Sequence, residues 1–156
     1  IQIIFNIFRQ KPSEDFFKKA AAKNVAIIVR VPLASGMLTG KMNKDWAFPE
    51  NDHRNYNIKG AAFDIGETFS GVNFEKGLEA VERLKDLLPV GFNLTELSLK
   101  WILMHKEVTV VIPGAKNKQQ VENNLIASDK DDISEIISKI NLVYDELIKS
   151  DVQDRW

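Results

Sequence analysis

Three short runs of β-branched and aromatic residues punctuate the chain: IQIIFNIF at 1–8, VAIIVRV at 25–31 and VTVVI at 108–112. Each has the length of a strand. Their nearly continuous apolar character, in place of alternation, predicts burial on both faces, as in a parallel sheet. Between them the spacing becomes helical. Pro12 and Ser13 end the first run, and Ser13 is placed to cap a helix with Glu14 and Asp15 in its first turn. That helix should reach about Lys23, with Asn24 capping its end. Strand, helix, strand over this length predicts a right-handed crossover between parallel neighbours.

Farther on, Phe74, Leu78, Val81, Leu84 and Leu88 form one stripe that stops at Pro89, predicting an amphipathic helix over 74–88. Asn93 and Glu96 stand at capping-box spacing before Leu97, Trp101, Ile102 and Met104. Asn117 and Gln120 repeat the spacing and open a helix through Val121 and Leu125 to about Ala127. A last helix runs from about Ile133 to about Ile148, with Ile133, Ile136, Ile137, Ile140, Val143, Tyr144 and Leu147 on its apolar face. Residues 42–73 keep no sustained period and read as a long excursion, functional or mobile. Strand and helix thus alternate three times, which is α/β organisation. Three parallel strands cannot close a barrel and leave two apolar edges, so missing sequence or another chain should cover them. Starting on a strand at Ile1, the chain is expected to begin inside a fold.

Composition narrows the function classes. With 156 residues, 44% of them apolar and 28% charged, one domain with a real core is expected. A net charge of −1, with both signs scattered along the chain, argues against a nucleic-acid surface. No apolar run approaches the roughly 20 residues that span a bilayer, and no cleavable signal precedes the first element, so a cytoplasmic protein without a membrane partner is expected. Cysteine is absent, which fits a reducing compartment and excludes thiol catalysis and thiolate metal sites. Two histidines, His53 and His105, leave little scope for a metal, and none is expected.

Two loops carry chemistry. In VVIPGAKNKQQVENN, 110–124, a strand breaks at Pro113-Gly114 and feeds a helix start with Lys116, Asn117, Lys118, Gln119 and Gln120 but no acid. Unpaired main-chain N–H groups beside neutral or cationic side chains make an anion site. The alternative at this point is that Asn117 and Gln120 only cap the helix and the lysines are solvated. PLASGMLTGK, 32–41, lets main-chain amides approach a ligand at the carboxyl end of a parallel strand, with Lys41 as counter-charge; its alternative is a plain Gly-rich turn. DKDD at 129–132 lacks the glycine and terminal Glu of an EF-hand and reads as a helix cap. Trp101 sits at core spacing, while Trp46 falls in the excursion and Trp156 at the terminus.

FNIFRQK, VPLASGMLTGK and VVIPGAKNKQQVENN, in this order and spacing, resemble the C-terminal half of an aldo-keto reductase, with the resemblance spanning residue 1 to about 150. It implies the C-terminal portion of a (β/α)8 TIM barrel, about three parallel strands with helices, binding NADP, or NAD, across the carboxyl ends. On this resemblance Gln2 would bond the nicotinamide carboxamide and Arg30 would stack on the ring, a planar guanidinium replacing the usual aromatic. Leu33, Ser35, Gly36, Leu38 and Lys41 would hold the pyrophosphate. Gly114, Lys116, Asn117, Gln120 and Asn124 would hold the adenosine and its 2′-phosphate. Gly114-Ala115 and Gln120 stand where some members carry Lys-Ser and Arg, so Lys116 alone would carry the 2′-phosphate. Asn123 replaces an acid that commonly touches the adenine amine.

The family's catalytic Tyr, Lys, Asp and His come from strands upstream of the matched region. No catalytic residue is therefore expected among 1–156: Tyr56 lies in the excursion, Tyr144 on a helix's apolar face, His53 in a solvated loop and His105 near a helix end. The resemblance implies a parent enzyme passing hydride to an aldehyde or ketone, with this chain as its dinucleotide clamp, inactive alone. Trp46, Phe48 and Arg54 of the excursion would line the substrate pocket. The alternative is a regulatory nucleotide-binding half-barrel without turnover, like the potassium-channel β-subunits of this fold, self-associating to cover its edges. Upstream strands bearing Asp, Tyr, Lys and His decide for the enzyme.

Overall fold

A computed structural model describes residues 1–154; Trp156 lies outside them. Strands β1 (Gln2–Ile4), β2 (Ile27–Arg30) and β3 (Val108–Val111) form one sheet in that order. Both pairings are parallel, with Gln2 opposite Ile28, Ile4 opposite Arg30, and Val29 opposite Val111. All three carboxyl ends therefore face one way.

The first strand is shorter than its apolar run. Asn6 Oδ1 accepts the Phe8 N–H at 2.8 Å, and the Arg9 N–H returns to the Asn6 carbonyl at 2.8 Å, so the chain turns back on itself after Phe5. A side-chain amide competing for main-chain partners ends the ladder. Phe5, Ile7 and Phe8 are nevertheless fully buried, so the run reports burial and overstates the strand.

Helix α1 (Phe16–Ala22) starts later than expected. The Ser13 hydroxyl donates back to the Gln10 carbonyl at 2.8 Å and closes a 3-10 turn over Lys11–Ser13, which removes it as a cap. The helix ends as foreseen at Asn24, with φ 56°. Bonds from Asn24 N to Ala21 O at 3.0 Å and from Val25 N to Ala20 O at 2.9 Å complete a Schellman motif.

The 42–73 excursion is built rather than loose. It contains α2 (His53–Tyr56) and 3-10 turns at Ile65–Glu67 and Phe69–Gly71. Buried Asn57 gathers it, accepting from Ala62 N at 2.9 Å and Phe63 N at 3.0 Å while donating to Thr68 Oγ1 at 3.1 Å. Helix α3 (Phe74–Lys85) follows, with Asn73 as cap. Its Gly77 is required by packing, because a Cβ there would be driven into the Met37 sulfur. Helix α4 (Leu94–Leu103) carries the expected capping box, and α5 (Lys118–Asp129) the expected Asn117 cap.

The last helix proves to be three segments: α6 (Ser134–Val143), a π turn over Tyr144–Ile148, and α7 (Lys149–Val152). The wider turn keeps Tyr144, Ile148 and Val152, spaced by four, on one buried stripe. Asp132 accepts the Ser134 N–H at 2.7 Å from one residue before the cap position, which Ile133 fills without a side-chain cap, so DKDD makes a turn into the helix and does not supply its N-cap. The core gathers these faces around Phe5, Phe17, Leu97 and Trp101. Strands β1 and β3 are the outer strands of the sheet, and Val110 of β3 with Ile1 and Ile112, which flank β1 and β3, are 42–56% exposed. Among the described residues no helix is long and apolar enough to cross a membrane.

Candidate functional site

Three loops leave the carboxyl ends of the strands. The one after β2 is the most contorted: Val31 (φ 52°), Ala34 (φ 47°), Ser35 (φ 56°) and Gly36 (φ 95°) all lie in the left-handed region. For Val31, β-branched, this conformation is strained. Its partners hold it there, since the Val31 carbonyl accepts from Asn6 Nδ2 at 2.8 Å and from Ala34 N at 3.1 Å.

Ser35 lies at the centre of the loop's contacts. Its hydroxyl donates to the Glu67 carbonyl at 3.2 Å and accepts the Phe69 N–H at 3.1 Å, while its own carbonyl accepts from Arg54 Nη1 at 3.3 Å. Gly36 is confined: a Cβ there would stand 3.2 Å from Met42 Cε and 3.6 Å from Arg54 Nη1. Leu33 is half-buried and Lys41 exposed. Leu38, expected at the ligand, instead sends its side chain into the core and its N–H to the Leu33 carbonyl at 3.1 Å.

Arg30, at the end of β2, forms a two-pronged pair with Glu67, both contacts 2.6 Å. The hydrogen-bonded guanidinium holds the Glu67 carboxyl below the usual carboxylate range, against the opposing effect of burial. Gln2 and Ile4 pair with Ile28 and Arg30, so Gln2 lies on Arg30's face of the sheet, two residues nearer the amino end and exposed.

After β3, the helix start is closed by its own side chains. Asn117 Oδ1 accepts the Gln120 N–H at 2.9 Å, and Gln120 Oε1 accepts the Lys116 N–H at 2.6 Å. Gln120 is therefore engaged in shaping the loop. Asn124 Nδ2 donates to the Gly114 carbonyl at 3.4 Å, and nothing lies within 4 Å of where a Gly114 Cβ would sit. The N–H groups of Lys118 and Gln119 have no intrahelical acceptor, as at any helix start. No acid stands in this first turn. Lys118 pairs with Glu122 at 3.4 Å, whereas Lys116, among the described residues, has no carboxylate within ion-pair distance.

The excursion's expected pocket residues divide. Trp46 is 42% exposed. Phe48 packs on Phe69 and Phe74, with ring centroids 5.7 and 6.2 Å away, and the Arg54 guanidinium lies 4.7 Å above its ring. Arg54 is also held by Asp52, at 2.9 Å through Nε and 2.6 Å through Nη2, and depresses the Asp52 pKa strongly. Arg54 thus ties the excursion to the loop after β2 through the Ser35 carbonyl, while Phe48 packs within the excursion and against α3. Glu67, Asp52 and Asn6 are site residues that sequence spacing did not supply; only Asn6, polar within an apolar run, left a local signal.

Of the two tyrosines, Tyr144 is 2% exposed in the core and Tyr56 is at the surface. His105 is caged by Phe5 and Trp101, ring centroids 4.8 and 4.6 Å away, its Nδ1 2.9 Å from the Trp101 carbonyl. Among the described residues no His, Asp and Glu side chains gather as metal ligands. The loop after β2 thus carries guanidinium groups paired with Glu67 and Asp52, while the start of α5 carries no acid in its first turn.

The aldo/keto reductase family profile matches residues 1–141. The chain is 29% identical over 122 residues to aldo-keto reductase yakc [NADP(+)] of Schizosaccharomyces pombe, covering 77% of this chain and 33% of that protein. It is 27% identical over 146 residues to aldo-keto reductase YhdN of Bacillus subtilis, covering 88% and 41%. Among solved structures, glycerol dehydrogenase AKR11B4 from Gluconobacter oxydans superposes with a TM-score of 0.72 at 23% identity, over 100% of this chain and 44% of that one. That likeness makes the three parallel β/α units the C-terminal portion of a (β/α)8 barrel. The chain spans about a third to two-fifths of the length of these curated relatives. With the profile covering nearly all of the sequence and the barrel geometry agreeing, the chain belongs to the aldo/keto reductase family.

Proposed function

We propose that this chain supplies the dinucleotide clamp of an NADP(H)-dependent oxidoreductase acting on an aldehyde or ketone. The observation that carries it is the acid-free start of α5, where Lys116, among the described residues, lacks a carboxylate partner beside the Lys118 and Gln119 N–H groups, at the same end of the sheet as the Ser35–Gly36 loop. The name of the fission-yeast relative, with NADP(+), supports the choice of cofactor. When bound, a nicotinamide dinucleotide supplies or accepts the hydride.

The chain's own residues position it. Lys116 sets its ammonium against the 2′-phosphate, and Asn117, by capping Gln120, keeps the first-turn donors facing outward. Asn124 and Gly114, tied together, border the adenosine side. The left-handed turn at Ser35 and Gly36 brings main chain close to the pyrophosphate, with Lys41 adding positive charge. Arg30 offers a planar face to the nicotinamide and Gln2 an amide to its carboxamide. The groups that protonate the carbonyl oxygen belong to other strands of the whole protein.

Titration of the full-length protein with NADPH and NADH, followed by Trp fluorescence and melting temperature, tests this. Lys116→Ala should weaken NADPH by about 1–3 kcal/mol, the range for a lost charge-assisted hydrogen bond, and leave NADH nearly unchanged. Equal losses for both cofactors would remove Lys116 as the 2′-phosphate ligand.

A further inference from the structure

Charges at the carboxyl end of β2 come in matched pairs. Arg30 is held by Glu67 through two contacts of 2.6 Å, and Arg54 by Asp52 through contacts of 2.9 and 2.6 Å. Arg9 and Asp64 stand close enough to act on the Glu67 carboxylate with opposite signs. Asp64 accepts the Gly66 N–H at 2.7 Å, and Arg9 donates to the Ser70 carbonyl at 2.8 Å. Among these six groups the formal charges balance, three guanidinium groups against three carboxylates, with Arg9 buried beneath the others. Removing Glu67 alone would leave one guanidinium charge uncompensated.

The Arg30–Glu67 pair is also open to the carboxyl end, its side chains 35% and 34% exposed. Glu67 is held in place without this pair, because its main-chain carbonyl accepts from Ser35 Oγ at 3.2 Å. Its side chain is therefore free to serve Arg30. A single-pronged contact would hold Arg30 loosely, whereas the two-pronged pair fixes the guanidinium plane as well as its charge.

The charge matters because the two redox forms of a nicotinamide differ at the ring: the oxidised ring is a cation and the reduced ring is neutral. A bare guanidinium stacked on the ring would repel the cationic form and accept the neutral one. We propose, on the dinucleotide assignment above with Arg30 against the ring, that Glu67 cancels this bias and lets the site hold the oxidised as well as the reduced cofactor. Glu67 is then a positioning and specificity-determining residue that acts through Arg30. Its separation of 37 residues from Arg30 places that control in the excursion.

The test compares Kd for NADP+ and NADPH on the full-length protein, by fluorescence titration at fixed ionic strength. Glu67→Gln keeps the side chain's shape, one acceptor for Arg30 and the main-chain bond to Ser35. It should raise the ratio of Kd for NADP+ to Kd for NADPH by about tenfold, a modest value because the pair is partly exposed and screened. Removing both charges in Arg30→Gln/Glu67→Gln should return the ratio to near that of the unaltered protein, an outcome that a merely structural role for Glu67 would not give. If both forms bind, the variants melt cooperatively and the ratio stays unchanged in Glu67→Gln, the charge role is overturned while the dinucleotide assignment survives. Binding of neither form by the unaltered protein overturns both.

Discussion

At the scale of single residues, Asn6 does the most with the fewest atoms. Fully buried, it donates from Nδ2 to the Val31 carbonyl and to Ser70 Oγ, each at 2.8 Å, and accepts the Phe8 N–H at 2.8 Å. One amide thereby joins the turn after β1, the strained start of the loop after β2 and the end of the excursion. Only an amide can do this: a carboxylate accepts but has no donor, and leucine has neither donor nor acceptor. Asn6→Ala should destabilise the protein by about 2–4 kcal/mol, since it strands buried partners and removes support from Val31. Equilibrium denaturation checks this, and a loss under about 1 kcal/mol would mean that the three segments are held elsewhere. Asn6 announced itself in the sequence by polarity inside an apolar run, although its partners did not. Glu67 gave no such sign, because an ion pair bridging 37 residues depends on how the excursion folds and leaves no periodic trace.

At the scale of elements, what could be read from sequence was whatever depends on neighbours three or four residues away. The α4 capping box is of this kind: Asn93 Oδ1 accepts the Glu96 N–H at 2.9 Å, and Glu96 Oε2 accepts the Asn93 N–H at 3.0 Å. Ser13 had equal local credentials and failed, since its hydroxyl found the Gln10 carbonyl first and the helix started at Phe16. A cap is thus decided by competition among nearby acceptors, which spacing alone does not rank. In α4 the outcome is secured from outside as well, because Glu96 is buried and meets Lys130 of the α5 end at 3.0 Å. Asn93→Ala should cost about 1 kcal/mol, the usual loss for a cap, with denaturant unfolding as the measure. A cost near zero would show that Glu96 and Lys130 hold the helix start unaided.

At the scale of the whole molecule, the order and direction of the three strands were legible, because buried β-branched runs separated by helical spacing leave few topologies. Burial of the outer strands was not: Thr109 and Val110 of β3 are exposed although their run reads as buried on both faces. An apolar run states what a strand can bury, not whether an element stands there to cover it. The pH response likewise belongs to the packed whole. Burial among Phe5, Phe17 and Trp101 lowers the His105 pKa, and paired guanidinium groups lower those of Asp52 and Glu67. As pH falls from about 6.5, the ordinary value for histidine, the unfolded chain takes up a proton at this position before the folded one does, and stability declines. A second decline begins near pH 4, where unfolded carboxylates protonate before Asp52 and Glu67. Stability should therefore be level above about pH 7 and fall in two steps below it. His105→Phe keeps an aromatic ring in the cage and removes the titrating group, so the first step should vanish while the second remains. Denaturant unfolding at pH 5 and pH 7 decides the matter: if the variant still loses stability on the order of 1 kcal/mol over this interval, the caged imidazole is not its source.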